Sequence, residues 1–253
     1  QKGIAQQIQA GSFTLSPGST TPEIAEQLTQ GTNDLWVTIK EGWRAAEIGE
    51  YLASVLPNFD QSSAEFKSEC LDYEGFLYPE TYLVPKEYNT TDMCRLLRRQ
   101  YGEVLTMEHR EAIHQAGFTE EEIITLASII EREARRPDDM KMVAGILHNR
   151  LALGMPLQVD ATLQYIKGYD EQKETWWATP LAADKQLDSP YNTYQNPGLP
   201  PAPIANPGEN AILAAIYPTE SNYLYYISNS AGTQMHYAET YEQHQQNIDR
   251  YLR

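Results

Sequence analysis

Cationic side chains are scarce in this chain: 19 Lys and Arg stand against 35 Asp and Glu, giving a formal net charge of −16. Affinity for a phosphate backbone rests on clustered Lys and Arg, so no nucleic-acid partner is expected. Long apolar runs are missing too. The longest cover about five residues, as at Leu126–Ile130 if Ser128 is counted, far below the roughly 18–20 needed to span a bilayer. Two cysteines, Cys70 and Cys94, are too few for a disulfide framework; one bridge in an oxidising compartment and two buried thiols both fit. There is no Gly-rich phosphate loop, Walker lysine, paired-cysteine zinc spacing or nucleophile elbow. The five histidines, His109, His114, His148, His236 and His244, never fall into a metal-binding spacing, so no metal is expected. The chain starts at Gln1 rather than Met, which leaves an upstream signal or anchor open.

What is present fits a globular protein: 253 residues, 41% of them apolar, enough for one large domain or two smaller ones. The first sixty residues echo themselves. Phe13–Leu28 aligns with Val37–Leu52 at an offset of 24, pairing Thr14 with Thr38, Gly18 with Gly42, Glu23 with Glu47 and Ile24 with Ile48. Each copy reads as a short β segment, a glycine turn and a helix. Thr21-Pro22 predicts a capped helix start, and Gly31 its stop. Two copies are too few for a solenoid, so they form a small module packed against the remainder of the chain.

A helix is expected around Ser62–Cys70, then an aromatic segment, Tyr73–Pro85, whose Pro79 and Pro85 exclude a continuous helix. Its rings Tyr73, Phe76, Tyr78 and Tyr82 suit either stacking on sugar faces or an ordinary core. Helices come next at Met93–Met107 and Glu108–Gly117; Arg95, Arg98 and Arg99 make one face basic, a pattern that usually means solvated surface.

The chain is organised around Leu126–Ala134. Thr119 and Glu122 predict a capping box, and Ile123, Ala127, Ile130 and Ala134 fall on one buried stripe. Glu131 borders that stripe, while Glu133 projects roughly 200° away at about 100° per residue. Pro137 ends the helix; a second, Asp138–Leu153, carries Val143, Ile146, Leu147 and Leu151 inward and stops at Gly154, making a hairpin. Beyond it the helical pattern weakens over Asp160–Trp177. Ser189–Gly208 holds six prolines and two glycines and reads as a rigid extended element. A helix at Glu209–Ile216, strands at Tyr223–Ser228 and through His236, and a last helix capped by Thr240 complete the chain.

With metals and nucleophile elbows excluded, carboxylates are the candidate catalysts. A glutamate at the edge of an apolar stripe is desolvated, which disfavours its charged form and raises its pKa toward neutrality. Glu131 fits that description better than Glu133. A hydrolytic glycosidase would need a second carboxylate about 5–9.5 Å away, for which Asp160 is best placed along the chain.

Five segments in order, Glu74–Tyr82, Leu126–Ala134, Ile146–Tyr165, Ser189–Gly208 and Ala214–Asn229, closely resemble the MltG/YceG family of endolytic murein transglycosylases. The resemblance implies an α+β fold: a small LysM-like βα-repeat module over residues 1–60, then a mixed catalytic domain over 61–253 built on the central helical hairpin. It also implies cleavage of the β-1,4 bond between N-acetylmuramic acid and N-acetylglucosamine, leaving a 1,6-anhydro end. By motif position the acid/base falls on Glu131, and Glu133, Asn149, Gln158, Asp160, Tyr191, Asn192 and Tyr194 would bind the glycan. One catalytic carboxylate suffices, because the muramyl C6 hydroxyl replaces water as nucleophile. Ala161 stands where relatives more often carry proline. The implied partners are peptidoglycan strands and cell-wall synthases. The implied location is the extracytoplasmic face of the bacterial cytoplasmic membrane, with an anchor upstream. A non-catalytic glycan-binding or scaffolding protein is the alternative. An aminodeoxychorismate lyase would need a lysine placed to hold PLP, and none stands in such a setting, so no cofactor is expected.

Overall fold

The computed structural model describes residues 8, 11–13, 15–29 and 32–252. In chain order these form α1 (Thr21–Gln27), β1 (Asp34–Thr38), α2 (Ala45–Val55), α3 (Ala64–Glu69), β2 (Thr81–Pro85), α4 (Thr90–Val104), α5 (Met107–Gln115), α6 (Glu120–Glu133) and α7 (Pro137–Ala152). Then come α8 (Asp160–Lys167), α9 (Glu209–Ile216), β3 (Tyr225–Ser228), β4 (Met235–Ala238) and α10 (Tyr241–Tyr251). The class is α+β, with two separate two-stranded antiparallel sheets among the described residues.

The first core forms where β1 pairs with β2, Val37 opposite Tyr82 and Trp36 opposite Leu83. Alternation puts Val37, Tyr82 and Val84 inside and leaves Trp36 and Leu83 exposed. α2 covers the inner face with Ile48 and Leu52, and α4 adds Met93 and Leu97. Because β1 finds its partner in β2, this core runs through Leu97, across the boundary expected at residue 60. Cys70 and Cys94 are joined inside it. A bridge between cysteines 24 residues apart contributes about 3 kcal/mol by restricting the unfolded chain. In the first repeat, Thr20 caps α1 through Glu23, one residue earlier than expected. Thr14 and the expected stop at Gly31 lie outside the described residues.

The aromatic segment serves packing. Tyr78 and Tyr82 are buried, the Tyr82 hydroxyl donates to the Tyr78 carbonyl at 2.6 Å, and Phe76 meets Tyr101 edge to face. Of the four rings, only Tyr73 is exposed.

The second core surrounds the α6–α7 hairpin. The Thr119 N–H donates to Glu122 at 2.8 Å and the Glu122 N–H to Thr119 Oγ1 at 3.1 Å, the capping box expected there. α6 is buried on more than the predicted stripe, with Ile124, Leu126 and Ile129 also sequestered, because α9 lies along it as well as α7. Pro137 opens α7 at its first position, where its missing N–H costs nothing. α7 stops at Gly154, whose φ of +65° lets the Met155 N–H turn back to the Arg150 carbonyl at 2.8 Å.

Two residues key the cores together. Asn206 is fully buried: its side chain accepts from the Leu77 N–H at 2.9 Å and donates to the Trp43 carbonyl at 3.0 Å and to Glu74 at 2.9 Å. Arg44, 3% exposed, donates to the carbonyls of Gln164, Tyr165 and Trp176 and lies 4.1 Å from the centroid of the Trp177 ring. Between them sits Glu74, whose pKa burial pushes up to about 8. Among the described residues, no helix is long and apolar enough to cross a membrane.

Candidate functional site

The last turn of α6 carries Glu131 and Glu133 to opposite surroundings. Glu131 points to the joint between the cores. Its carboxylate accepts the Gly208 N–H at 3.1 Å, its stem lies against Gly42, and Glu41 stands nearby. The fit is close: a Cβ at Gly208 would run into the Glu41 carboxylate. Burial, reinforced by the Glu41 charge, raises the Glu131 pKa to about 7, against the pull of the Gly208 N–H and Arg132.

Glu133 faces an open cleft. On one side a cavity of about 480 Å³ is lined by Arg150, Gln158, Asp160, Lys185, Tyr194, Tyr225, Tyr226, Tyr241 and His244. On the other a cavity of about 460 Å³ is lined by Arg135, Arg136, Asp139, Thr233 and Gln234. Glu133 borders both, together with Ser228 and Met235. The Tyr226 hydroxyl donates to the Glu133 carboxylate at 2.9 Å. Burial raises the Glu133 pKa to about 6; the Tyr226 hydrogen bond opposes the rise and the Asp160 charge adds to it. At neutral pH such a carboxyl still carries a proton part of the time, the condition for a group that both gives and takes one.

The walls are held by backbone geometry. The Gln158 N–H donates to the Thr193 carbonyl at 3.0 Å and the Val159 N–H to Thr193 Oγ1 at 3.1 Å, tying the loop after α7 to the proline-rich element. Gln158 itself has φ +54°, a left-handed conformation that costs a non-glycine residue on the order of 1 kcal/mol and concentrates at functional sites. Asp160 opens α8 and accepts the Tyr194 hydroxyl at 2.7 Å, while Lys185 lies 4.6 Å from the centroid of the Tyr194 ring. On the far wall, Tyr237 of β4 donates to Asp139 at 2.9 Å and anchors the β3–β4 hairpin to α7.

Of the eight residues expected from the sequence, the structure brings Glu133, Gln158, Asp160 and Tyr194 into this cleft. The other four lie elsewhere. Asn149 donates to the Ser221 and Tyr223 carbonyls at 2.7 and 3.0 Å, holding the segment that leads into β3. Asn192 is fully buried, its amide spanning the Lys185 and Leu187 carbonyls, so it shapes the loop that carries Tyr194. Tyr191 packs on Tyr165 at a ring separation of 5.0 Å, on the Arg44 side. Glu131 lies at the joint described above. No ring of the Tyr73–Pro85 segment lines the cleft.

Sequence reasoning missed Tyr226 and Arg150. Tyr226 lies in a segment that reads as a strand, yet strand period alone does not tell which of Tyr225 and Tyr226 meets a carboxylate. Arg150 spends its guanidinium on the carbonyls of Leu224, Pro156 and Leu157, bracing both walls at once. Among the described residues, no group of three or more His, Cys, Asp or Glu is arranged to hold a metal.

A family model described as the YceG-like family matches residues 1–250. The chain is 28% identical over 275 residues to a Bacillus subtilis (strain 168) protein named endolytic murein transglycosylase, covering 98% of this chain and 74% of that one. A Streptococcus pneumoniae (R6) protein of the same name is 26% identical over 278 residues, covering 95% of this chain. The chain spans about half the length of that relative, 50%. A crystal structure of a yceG-like protein from Listeria monocytogenes superposes with a TM-score of 0.70 at 29% identity, covering 95% of this chain and 84% of that one.

Proposed function

The chain belongs to the YceG-like family, and from that premise we propose that it cuts peptidoglycan glycan strands endolytically as a lytic transglycosylase, with Glu133 as the acid/base. The observation that carries this reading is the place of Glu133 where two cavities meet, with sugar-sized space on either side and tyrosine rings along one wall. A strand can pass through such a cleft without presenting an end.

The acid/base role moves from Glu131 to Glu133 for a geometric reason. Glu131 has the higher pKa, yet its carboxylate is engaged with the Gly208 backbone at the joint between the cores. Glu133 adjoins space a substrate can fill. In the proposed reaction, protonated Glu133 donates its proton to the glycosidic oxygen as the bond from the N-acetylmuramyl C1 breaks, and the departing strand leaves with a free C4 hydroxyl on its first N-acetylglucosamine. The resulting Glu133 carboxylate then takes the proton of the muramyl C6 hydroxyl as that oxygen bonds to C1, closing the 1,6-anhydro ring. The proton count balances and no water is consumed. In this reaction the substrate's own N-acetyl group and the Asp160 carboxylate ease the positive charge that develops at C1. Tyr226 orients the Glu133 carboxylate; Gln158 and Tyr194 contact sugar.

The N-terminal βα repeat, read as a LysM-like module, would hold the strand nearby. The Cys70–Cys94 bridge supports an extracytoplasmic location, where disulfides persist. Cell-wall synthases remain the proposed protein partners.

The test is digestion of purified peptidoglycan with the unmodified chain, Glu133→Gln and Glu131→Gln, followed by mass spectrometry of the soluble fragments. Anhydromuramyl products from the unmodified chain and from Glu131→Gln, but not from Glu133→Gln, are expected. No such product from the unmodified chain would sink the enzymatic reading and favour a glycan-binding protein.

A further inference from the structure

A third cavity, of about 800 Å³, lies away from the cleft between α3, the 3-10 turn Leu71–Tyr73 and α4, with Arg110 of α5 and Glu120 of α6 at one end. Its lining carries four guanidiniums, Arg95, Arg98, Arg99 and Arg110, against two carboxylates, Glu69 and Glu120. A surplus of positive charge gathered in one cavity is a local reversal in a chain of net charge −16.

The charges are unevenly matched. Arg95 and Arg98 share the single carboxylate of Glu69, each at 2.8 Å. Arg110 pairs with Glu120, which also accepts the Tyr101 hydroxyl at 3.0 Å. Arg99 is exposed and has no ion-pair partner among the described residues. The Arg98 guanidinium lies 3.3 Å from the centroid of the Tyr73 ring, which holds it flat, and the Phe76–Tyr101 edge-to-face pair supplies an apolar floor. The Cys70–Cys94 bridge ties the wall that carries Glu69 and Tyr73 to the wall that carries the arginines, so the cavity is preorganised.

We propose that this cavity is a second binding site, for a short peptide bearing a free carboxylate. Guanidinium groups grip a carboxylate through paired N–H donors, and Arg99 has all of its donors free for one. Glu69 and Glu120 tolerate one or two isolated carboxylates but repel a dense polyanion such as a phosphate polymer. The aromatic floor takes the aliphatic part of a peptide. The natural source would be the peptides hung from a glycan strand, so the identity of the occupant rests on the glycan reading, while the site itself does not. Bound there, a peptide would let the protein distinguish peptide-bearing strands from bare ones at a place remote from Glu133.

The test is titration calorimetry on the full chain with a synthetic tetrapeptide carrying a free C-terminal carboxylate and one side-chain carboxylate. Its fully amidated counterpart, a polyphosphate and a peptide-free chitin oligosaccharide are the controls. Binding of the acidic peptide that weakens at least about tenfold on amidation and in Arg99→Glu supports the proposal. Equal binding of the amidated peptide, indifference to Arg99→Glu, or no binding at millimolar peptide overturns it, as does polyphosphate that binds through Arg99 and that the peptide cannot displace. Circular dichroism checks that Arg99→Glu is folded. Failure of the unmodified chain to cut glycan would sink the earlier reading and leave this result standing.

Discussion

Glu131 and Glu133 sit two residues apart on one helix, both half-buried and both with pKa values raised by burial, yet they belong to different parts of the molecule. Glu131 lies at the joint between the cores, accepting the Gly208 N–H, with its stem against Gly42 and the Glu41 charge nearby. Glu133 borders two cavities and takes a tyrosine hydroxyl from a strand more than ninety residues on. The height of the pKa alone would choose Glu131, because hydrogen bonds offset more of the desolvation at Glu133. The pair shows that a perturbed carboxyl becomes a candidate acid only where a substrate can reach it.

The strongest way to break this comparison is to neutralise each side in turn. Glu133→Gln should lower release of anhydromuramyl products by about 10³-fold, within the range that removing a general acid/base costs, while Glu131→Gln stays within about tenfold of the unmodified chain. Chromatographic quantification of the products decides it, and the reverse pattern would return the role to Glu131.

Next in size is damage to the joint on the Glu131 side. Asn206→Ala leaves the Leu77 N–H buried without an acceptor and strips a donor from Glu74, so it should destabilise the chain by about 2–4 kcal/mol in urea unfolding. Product release per folded molecule should be unchanged, because Asn206 lies outside the cleft.

Glu74 gives that side a pH signature. A carboxyl whose pKa goes from 4.5 to about 8 on folding holds its proton more tightly in the folded state. Its contribution to stability is therefore complete below pH 4.5 and lost as pH rises through about 8. The unmodified chain should lose thermal stability between pH 5 and 8, and Glu74→Gln should flatten part of that slope, by about 2 kcal/mol at the alkaline end. An unchanged slope would show that Glu74 is not desolvated as described.

The smallest expected effect lies on the open side. Glu133 must be protonated to act as the acid, so kcat/KM should fall as pH rises through about 6. The Tyr226 hydrogen bond favours the ionised form, so Tyr226→Phe should move that alkaline limb to higher pH and cost about tenfold in rate. The Asp160 charge acts the other way, so Asp160→Asn should move it to lower pH. Shifts of one sign in both variants would mean that another group is being titrated.

Much of the frame was legible because its signals are local. The Thr119–Glu122 box, Pro137, Gly154 and the helix at Glu209–Ile216 rest on contacts a few residues apart, and the hairpin appears where they put it. The opposed directions of Glu131 and Glu133 were legible for the same reason. What each one faces was not, because Gly208 and Tyr226 arrive from far along the chain. Asn149 and Asn192 show the same limit. Their types and motif positions suit sugar binding, but the segments packed around them take up their amide N–H groups on backbone carbonyls. The β1–β2 pairing likewise joins segments on either side of the expected boundary at residue 60, and no local signal foretells it.

Arg44 gives the boundary between the two cores a mechanical character. Its planar cation is gripped by three carbonyls and faced by the rings of Tyr165, Trp176 and Trp177, so sliding one core past the other would first tear a buried charge from all of them at once. The joint is stiff in shear. A polymer held by the N-terminal module and threaded past Glu133 would therefore meet a fixed span, and tension along it would be borne by the whole protein rather than taken up in a hinge.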